Sequence, residues 1–172
     1  TATMLLTKTG MAASREEIIE ALWPESDPAA ALNSLNQTVY FLRRVFEPKY
    51  HEDTSTGYVD QGSETLWLDS ELISSRSQVC RAILREVRGD PTPEQAISLA
   101  QQYHGRFALD FLYEDWAADY RDSLHAAYLR VIESALRLGA AEGWSVEKVE
   151  FRMSAESLGR AVSGLDERKS CI

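Results

Sequence analysis

Asn33, Asn36, Gln37, Tyr40 and Arg44 are the residues of this sequence whose types and spacing promise chemistry. At 100° per residue they fall within a sector of about 100° on one helix face. Amide and guanidinium groups offer donors and acceptors in fixed geometry, so such a row can recognise a partner by paired hydrogen bonds. On the opposite side Leu32, Leu35, Val39, Leu42 and Phe46 recur at the i, i+3, i+4, i+7 spacing of a buried stripe. An ordinary solvated helix face is the plain alternative, and the pattern alone leaves both readings open.

Other chemistry finds little support. The chain carries no G-x-x-x-x-G-K-[ST], G-x-G-x-x-G or H-E-x-x-H, so neither a nucleotide, a dinucleotide cofactor nor a catalytic zinc is expected. His51, His104 and His125 are far apart, and none lies beside a nucleophile elbow. Asp110, Glu114, Asp115 and Asp119 form an acidic cluster, but like charges one turn apart are common on solvated helices. Cys80 and Cys171 are widely separated and have no Cys or His at metal spacing, which reads as two reduced thiols. No enzyme, no cofactor and no metal are expected.

Composition sets the bounds. With 172 residues, 44% of them hydrophobic, the chain can bury one good core or two small ones. Apolar runs are only a few residues long, far short of the ~20 that cross a bilayer. The opening TATMLLTKTG does not resemble a secretory signal, so a cytoplasmic protein is expected. Charge argues against broad nucleic-acid affinity: 18 basic residues face 27 acidic ones, for a net of −9. Residues 1–70 hold five basic and eleven acidic side chains, a balance of −6. Any positive surface must therefore be small and local.

The elements that position the row are legible from their punctuation. Met4, Leu5 and Leu6 precede Gly10, like the last turns of a helix whose beginning lies upstream. In SREEIIEALWP, Ser14 and Glu17 have capping-box spacing, Ile18, Ile19, Leu22 and Trp23 form the apolar side, and Pro24 ends the helix. Asp27 is a good N-cap for a second helix with Pro28 at its first position, giving a helix-turn-helix outline. Tyr58-Val59 and Thr65–Leu68 read as the two strands of a hairpin about Gln61-Gly62-Ser63. From Ser70 onward helices alone are expected. They run over 70–88, from an N-cap at Thr92 to a stop at Gly105, over 114–139, and over 146–163 with Val146, Val149, Met153, Leu158 and Val162. Small residues at their crossings, such as Ala96, Ala100 and Ala135, suggest stacked α-hairpins.

SREEIIEALWP, LNSLNQTVYFLRRVFEP and GYV together resemble a response-regulator-type winged helix. The run from Gly89 through Leu136, with its G-x-F…EDW connection, resembles the bacterial transcriptional activator domain family known from regulators of antibiotic clusters. The resemblance covers about residues 4–165. It implies a mainly α protein: a winged helix-turn-helix domain over 1–69, then a tetratricopeptide-like helical domain over 70–172. The sequence lacks the N-terminal strands and most of the first helix of such modules, which suggests a piece of a longer protein. Its hairpin also lacks the arginines often seen in such wings.

From the resemblance follows a set of roles. Residues 28–46 would enter a major groove of duplex DNA, where Asn and Gln pair with adenine and Arg with guanine. Asn33, Asn36, Gln37, Tyr40 and Arg44 would read bases. Arg15, Arg43 and Lys49 would contact phosphate, with Thr38 a further candidate. The helical block would contact a protein partner or a neighbouring domain, and a homodimer would suit paired half-sites. The contrasting reading is a winged helix that contacts protein and not DNA. Tyr58 and Trp67 are expected to pack the hairpin onto the helices, and Tyr113, Trp116, Tyr120 and Tyr128 to be core or to line a partner groove.

Overall fold

A computed structural model describes residues 1–142. The helix expected over 146–163 and the thiol of Cys171 lie outside the described residues. Within them the protein is mainly helical, with six α-helices and one three-stranded antiparallel sheet. Two compact units are present among the described residues: 1–75 with 110–120, and 76–109 with 121–142.

The first unit begins with α1 (Ala2–Thr7), which buries Met4 and Leu5. Gly10 then takes a left-handed φ of 65° inside a short turn, the backbone state that stops a helix most cheaply. Next comes β1 (Ala12–Ser14), followed at once by α2 (Arg15–Leu22). The capping box forms as its spacing implies: Ser14 Oγ accepts from the Glu17 amide at 3.0 Å, and Glu17 Oε2 accepts from the Ser14 amide at 2.9 Å. For α3 (Pro28–Phe46), Asp27 Oδ1 accepts from the Ala29 and Ala30 amides at 2.9 and 3.4 Å. Pro28 occupies the first turn, where its missing N–H costs nothing.

β2 (Val59–Gln61) and β3 (Thr65–Leu68) form the expected hairpin, closed by the Gly62 amide donating to the Thr65 carbonyl at 2.8 Å. The sheet order is β1-β3-β2, with Ala13 opposite Leu66 and Asp60 opposite Trp67. The third strand, β1, is not expected from the sequence pattern, which marks only the two hairpin strands. Ala12, Ala13 and Ser14 carry no β-branched or aromatic residue, so β1 owes its state to pairing with β3. Strand alternation puts Leu66 and Leu68 inside. There they join Met4, Leu5, Met11, Ile18, Leu35, Val39 and Val59 in one core. Tyr58 stacks on Phe46 with ring centroids 5.7 Å apart, and Trp116 packs partly buried on the same core.

The stripe of α3 is rotated slightly from expectation. Leu35 and Val39 are buried and Leu42 and Phe46 partly so, but Leu32 is 41% exposed while Ala31 is fully buried. The core-facing line passes through Ala31, Leu35 and Val39, which leaves Leu32 at its edge. Two apolar side chains off the stripe, Phe41 and Val45, are 64% and 73% exposed.

In the second unit the first helix, α4 (Arg76–Glu86), starts later than expected. Ser70–Ile73 makes a single turn instead, with the Ile73 amide bonded to the Asp69 carbonyl at 2.8 Å and Ile73 drawn onto the first core. α5 (Pro93–Gln102) has a full capping box between Thr92 and Gln95. α6 (Asp115–Glu142), whose residues up to Tyr120 belong to the first unit, is the long helix expected over 114–139. Among the described residues of this unit, Cys80, Ala96, Leu99, Tyr103, Leu124, Tyr128, Val131, Ile132 and Ala135 are buried. Tyr103 stacks on Tyr128 at 3.8 Å and its hydroxyl meets His125 Nδ1 at 2.6 Å. Of the four aromatics from 113 to 128, Tyr120 and Tyr128 are buried, Trp116 is half-buried, and Tyr113 is 93% exposed.

Candidate nucleic-acid interface

α3 presents the polar row to solvent. Asn33, Asn36, Gln37, Tyr40 and Arg44 are all exposed, on the side away from Leu35 and Val39. Over its 19 residues α3 contains no Asp or Glu and two arginines, within a chain whose net charge is −9. The row is not a set of independent side chains. Arg44 Nη1 donates to Tyr40 Oη at 3.1 Å, and its guanidinium lies 5.8 Å from the centre of the Tyr40 ring. The Tyr40 ring in turn meets the Phe41 ring in a T-shaped contact, with centroids 5.7 Å apart.

Arg15, at the start of α2, links three elements. Its Nη1 donates to Asn36 Oδ1 at 3.4 Å, and its Nη2 donates to Gln61 Oε1 at 3.1 Å. Its Nε is buried without a hydrogen-bond partner. The guanidinium thus orients the Asn36 amide on α3 and ties it to the end of β2. Gln61 was missed from sequence as a member of this group, because hairpin spacing reveals a turn but not where a side chain reaches.

The other cations divide by location. Arg43 is half-buried: its Nε donates to the Val59 carbonyl at 3.0 Å and its guanidinium stands 5.4 Å over the Tyr50 ring. That fastens the end of α3 to β2. Lys49 is exposed beyond the helix. Lys8 pairs with Glu17 at 3.4 Å. The bond from the Ser14 amide, aided by Lys8, holds the Glu17 carboxyl below its usual range. Thr38 Oγ1 donates back to the Ser34 carbonyl at 2.8 Å, and Ser34 Oγ to the Ala30 carbonyl at 3.0 Å, so both hydroxyls serve their own helix. Asp60 and Glu64 are exposed on the hairpin and make its surface acidic.

Phe41 stands about 40° around the helix from Gln37 and one turn along it. Its exposure was legible from the wheel, yet its apolar character kept it out of a row chosen for hydrogen bonding.

Elsewhere, a cavity of about 630 Å³ opens in the second unit between Leu84, Val87, Pro91 and Val131. At its rim Ser134 Oγ donates to Asp90 at 2.9 Å and Arg137 lies 3.7 Å from the same carboxylate. His51 and His104 are exposed, and His104 is held by Arg76 and the Gln101 carbonyl, each at 3.1 Å. Among the described residues no three His, Cys, Asp or Glu side chains are grouped to hold a metal ion. No helix among them is long and apolar enough to cross a membrane. Comparison with protein-family models, with curated proteins and with solved structures finds no match for this chain.

Proposed function

We propose that this chain is a DNA-binding module of a transcriptional regulator, in which α3 reads duplex DNA and the second unit mediates protein contacts. The observation that carries the reading is the exposed face of α3. It holds Asn33, Asn36, Gln37, Tyr40 and Arg44 on a helix without a single acid, in a strongly acidic chain. Solvation needs no such exclusion of carboxylates, whereas a phosphate-lined groove does. The order helix, strand, helix, helix and hairpin supports a winged helix-turn-helix, with β1 completing the sheet of the wing. The paired α4 and α5 support a tetratricopeptide-like block. A cytoplasmic setting follows from this role.

In the groove, Asn36 and Gln37 would each span the N6 and N7 edges of adenine, and Arg44 the O6 and N7 edges of guanine. Arg15 would hold the Asn36 amide in place, which favours one base over its neighbours. Lys49 is the best placed phosphate contact, since Arg43 is committed to Val59 and Tyr50.

A second reading, a protein-contact module without DNA affinity, is favoured by the acidic hairpin and by the −6 balance of residues 1–70. One experiment separates the two. A randomised duplex pool is selected on the 172-residue chain, and the winners are titrated by fluorescence anisotropy at two salt concentrations. One selected motif, weakened about tenfold or more by Asn36→Ala and falling steeply with salt, supports the DNA reading. No binding at low salt by the folded chain rejects it and assigns α3 to a protein partner.

A further inference from the structure

We infer that Phe41 is a specificity-determining residue that takes the C5-methyl group of a thymine, so that the recognised duplex carries an A·T pair beneath the Gln37–Phe41 edge of α3. This rests on the proposal that α3 reads DNA.

The argument starts from exposure. A phenylalanine 64% exposed forgoes most of the stabilisation its ring would gain in a core. The ring has neighbours on its own helix: Tyr40 meets it in a T-shaped contact at 5.7 Å, and Arg44 bonds to the Tyr40 hydroxyl at 3.1 Å. Gln37 lies one turn before it, about 6 Å along the helix axis, so the two side chains are neighbours on one edge of α3. An A·T pair presents in the major groove an N6/N7 edge suited to the glutamine amide and a thymine methyl suited to an apolar contact. The amide and the ring on α3 supply those two chemistries side by side. The hydroxyls of Ser34 and Thr38, on the same flank, are turned onto their own helix and leave that flank without a competing polar group.

A protein partner is the weaker occupant. Phe41 and Val45 are two side chains, whereas a stable protein interface buries about 800 Å² on each side. They also adjoin Gln37 and Arg44 on an acid-free helix, which suits a polyanion better than a typical protein surface.

The test uses the duplex selected on the full chain. Each thymine is replaced in turn by deoxyuridine, which removes the methyl group and keeps base pairing and the O4 acceptor. At one position the wild-type chain should lose roughly fourfold in affinity, the worth of one buried methyl. Phe41→Ala should lose a similar factor on the thymine duplex, show no further loss with deoxyuridine at that position, and keep the salt slope unchanged. Circular dichroism on Phe41→Ala checks that this exposed substitution leaves the fold intact. Specific binding with every deoxyuridine duplex as tight as the parent overturns the inference while leaving DNA binding in place. So does a deoxyuridine loss that persists in Phe41→Ala. Absence of duplex binding by the folded chain overturns the parent reading, and this one with it.

Discussion

Arg15 Nη1 lies 3.4 Å from Asn36 Oδ1, joining the first turn of α2 to the exposed face of α3. Because the same guanidinium donates to Gln61, it acts as a clamp and not as a cation aimed at solvent. Its removal should therefore affect base discrimination more than charge. Arg15→Ala is expected to weaken the selected site about tenfold while non-specific duplex binding changes little. Arg15→Lys keeps the charge but not the planar fork, so it should behave like the alanine variant. The checking measurement is the slope of log affinity against log salt: a slope reduced by about 0.9 in Arg15→Ala would make Arg15 a phosphate contact instead.

The hairpin offers a converse prediction. Glu64 is exposed at its tip, where a winged module would approach the duplex backbone. Glu64→Lys should raise affinity at low salt and steepen the salt slope by up to about 0.9. Equal slopes for the two proteins would place the tip away from the duplex.

The capping box at Ser14 is a stability prediction. Ser14→Ala leaves the Glu17 amide without its cap and should cost about 1 kcal/mol in urea unfolding. The Glu17 carboxyl is depressed in the fold by the Ser14 amide and Lys8. Its contribution is therefore present above the ordinary carboxylate value and fades as pH falls through the folded one. Glu17→Gln should narrow the difference in stability between neutral and acidic solution, with a small effect because the side chain is about half exposed.

What sequence revealed about this molecule was local, and what it hid was tertiary. The ends of α2, α3 and α5 were legible because Ser14, Asp27 and Thr92 act on amides two or three residues away. The polar row was legible because exposure on a long amphipathic helix follows from the position of its stripe. β1 was not, since three small residues become a strand only by meeting β3. Arg43 lies beside the polar row, where a phosphate contact is expected, and only the tertiary position of the Val59 carbonyl engages its Nε. Ser70–Ser75 kept helical spacing, but Ile73 packs on the first core and the helix begins after it. Gln61 joined the candidate site through a contact 46 residues distant in sequence, which no periodicity encodes.

Within the second unit, the Tyr103–His125 pair predicts a dependence on pH. Burial pushes the His125 imidazole below its ordinary value of about 6.5, the nearby charge of Arg106 acts in the same direction, and Asp122 opposes both. Burial likewise raises the Tyr103 hydroxyl well above its usual range. Near neutral pH the hydroxyl therefore keeps its proton and shares a hydrogen bond of 2.6 Å with Nδ1 of a neutral imidazole. Below about pH 6.5 the unfolded chain takes up a proton at His125 that the folded chain refuses, so stability falls as pH falls through that window. Tyr103→Phe leaves Nδ1 buried without its hydroxyl partner and should cost ~1–3 kcal/mol at pH 7.5. Tyr103→Phe with His125→Leu removes both partners and should cost less than the single change, since neither polar atom is then orphaned. Urea unfolding at pH 7.5 and 5.5 reads both effects. The double variant should lose less stability on acidification than the wild type, because the titrating imidazole is gone. Equal losses in the two proteins would mean that His125 takes up its proton as readily in the fold as in the unfolded chain.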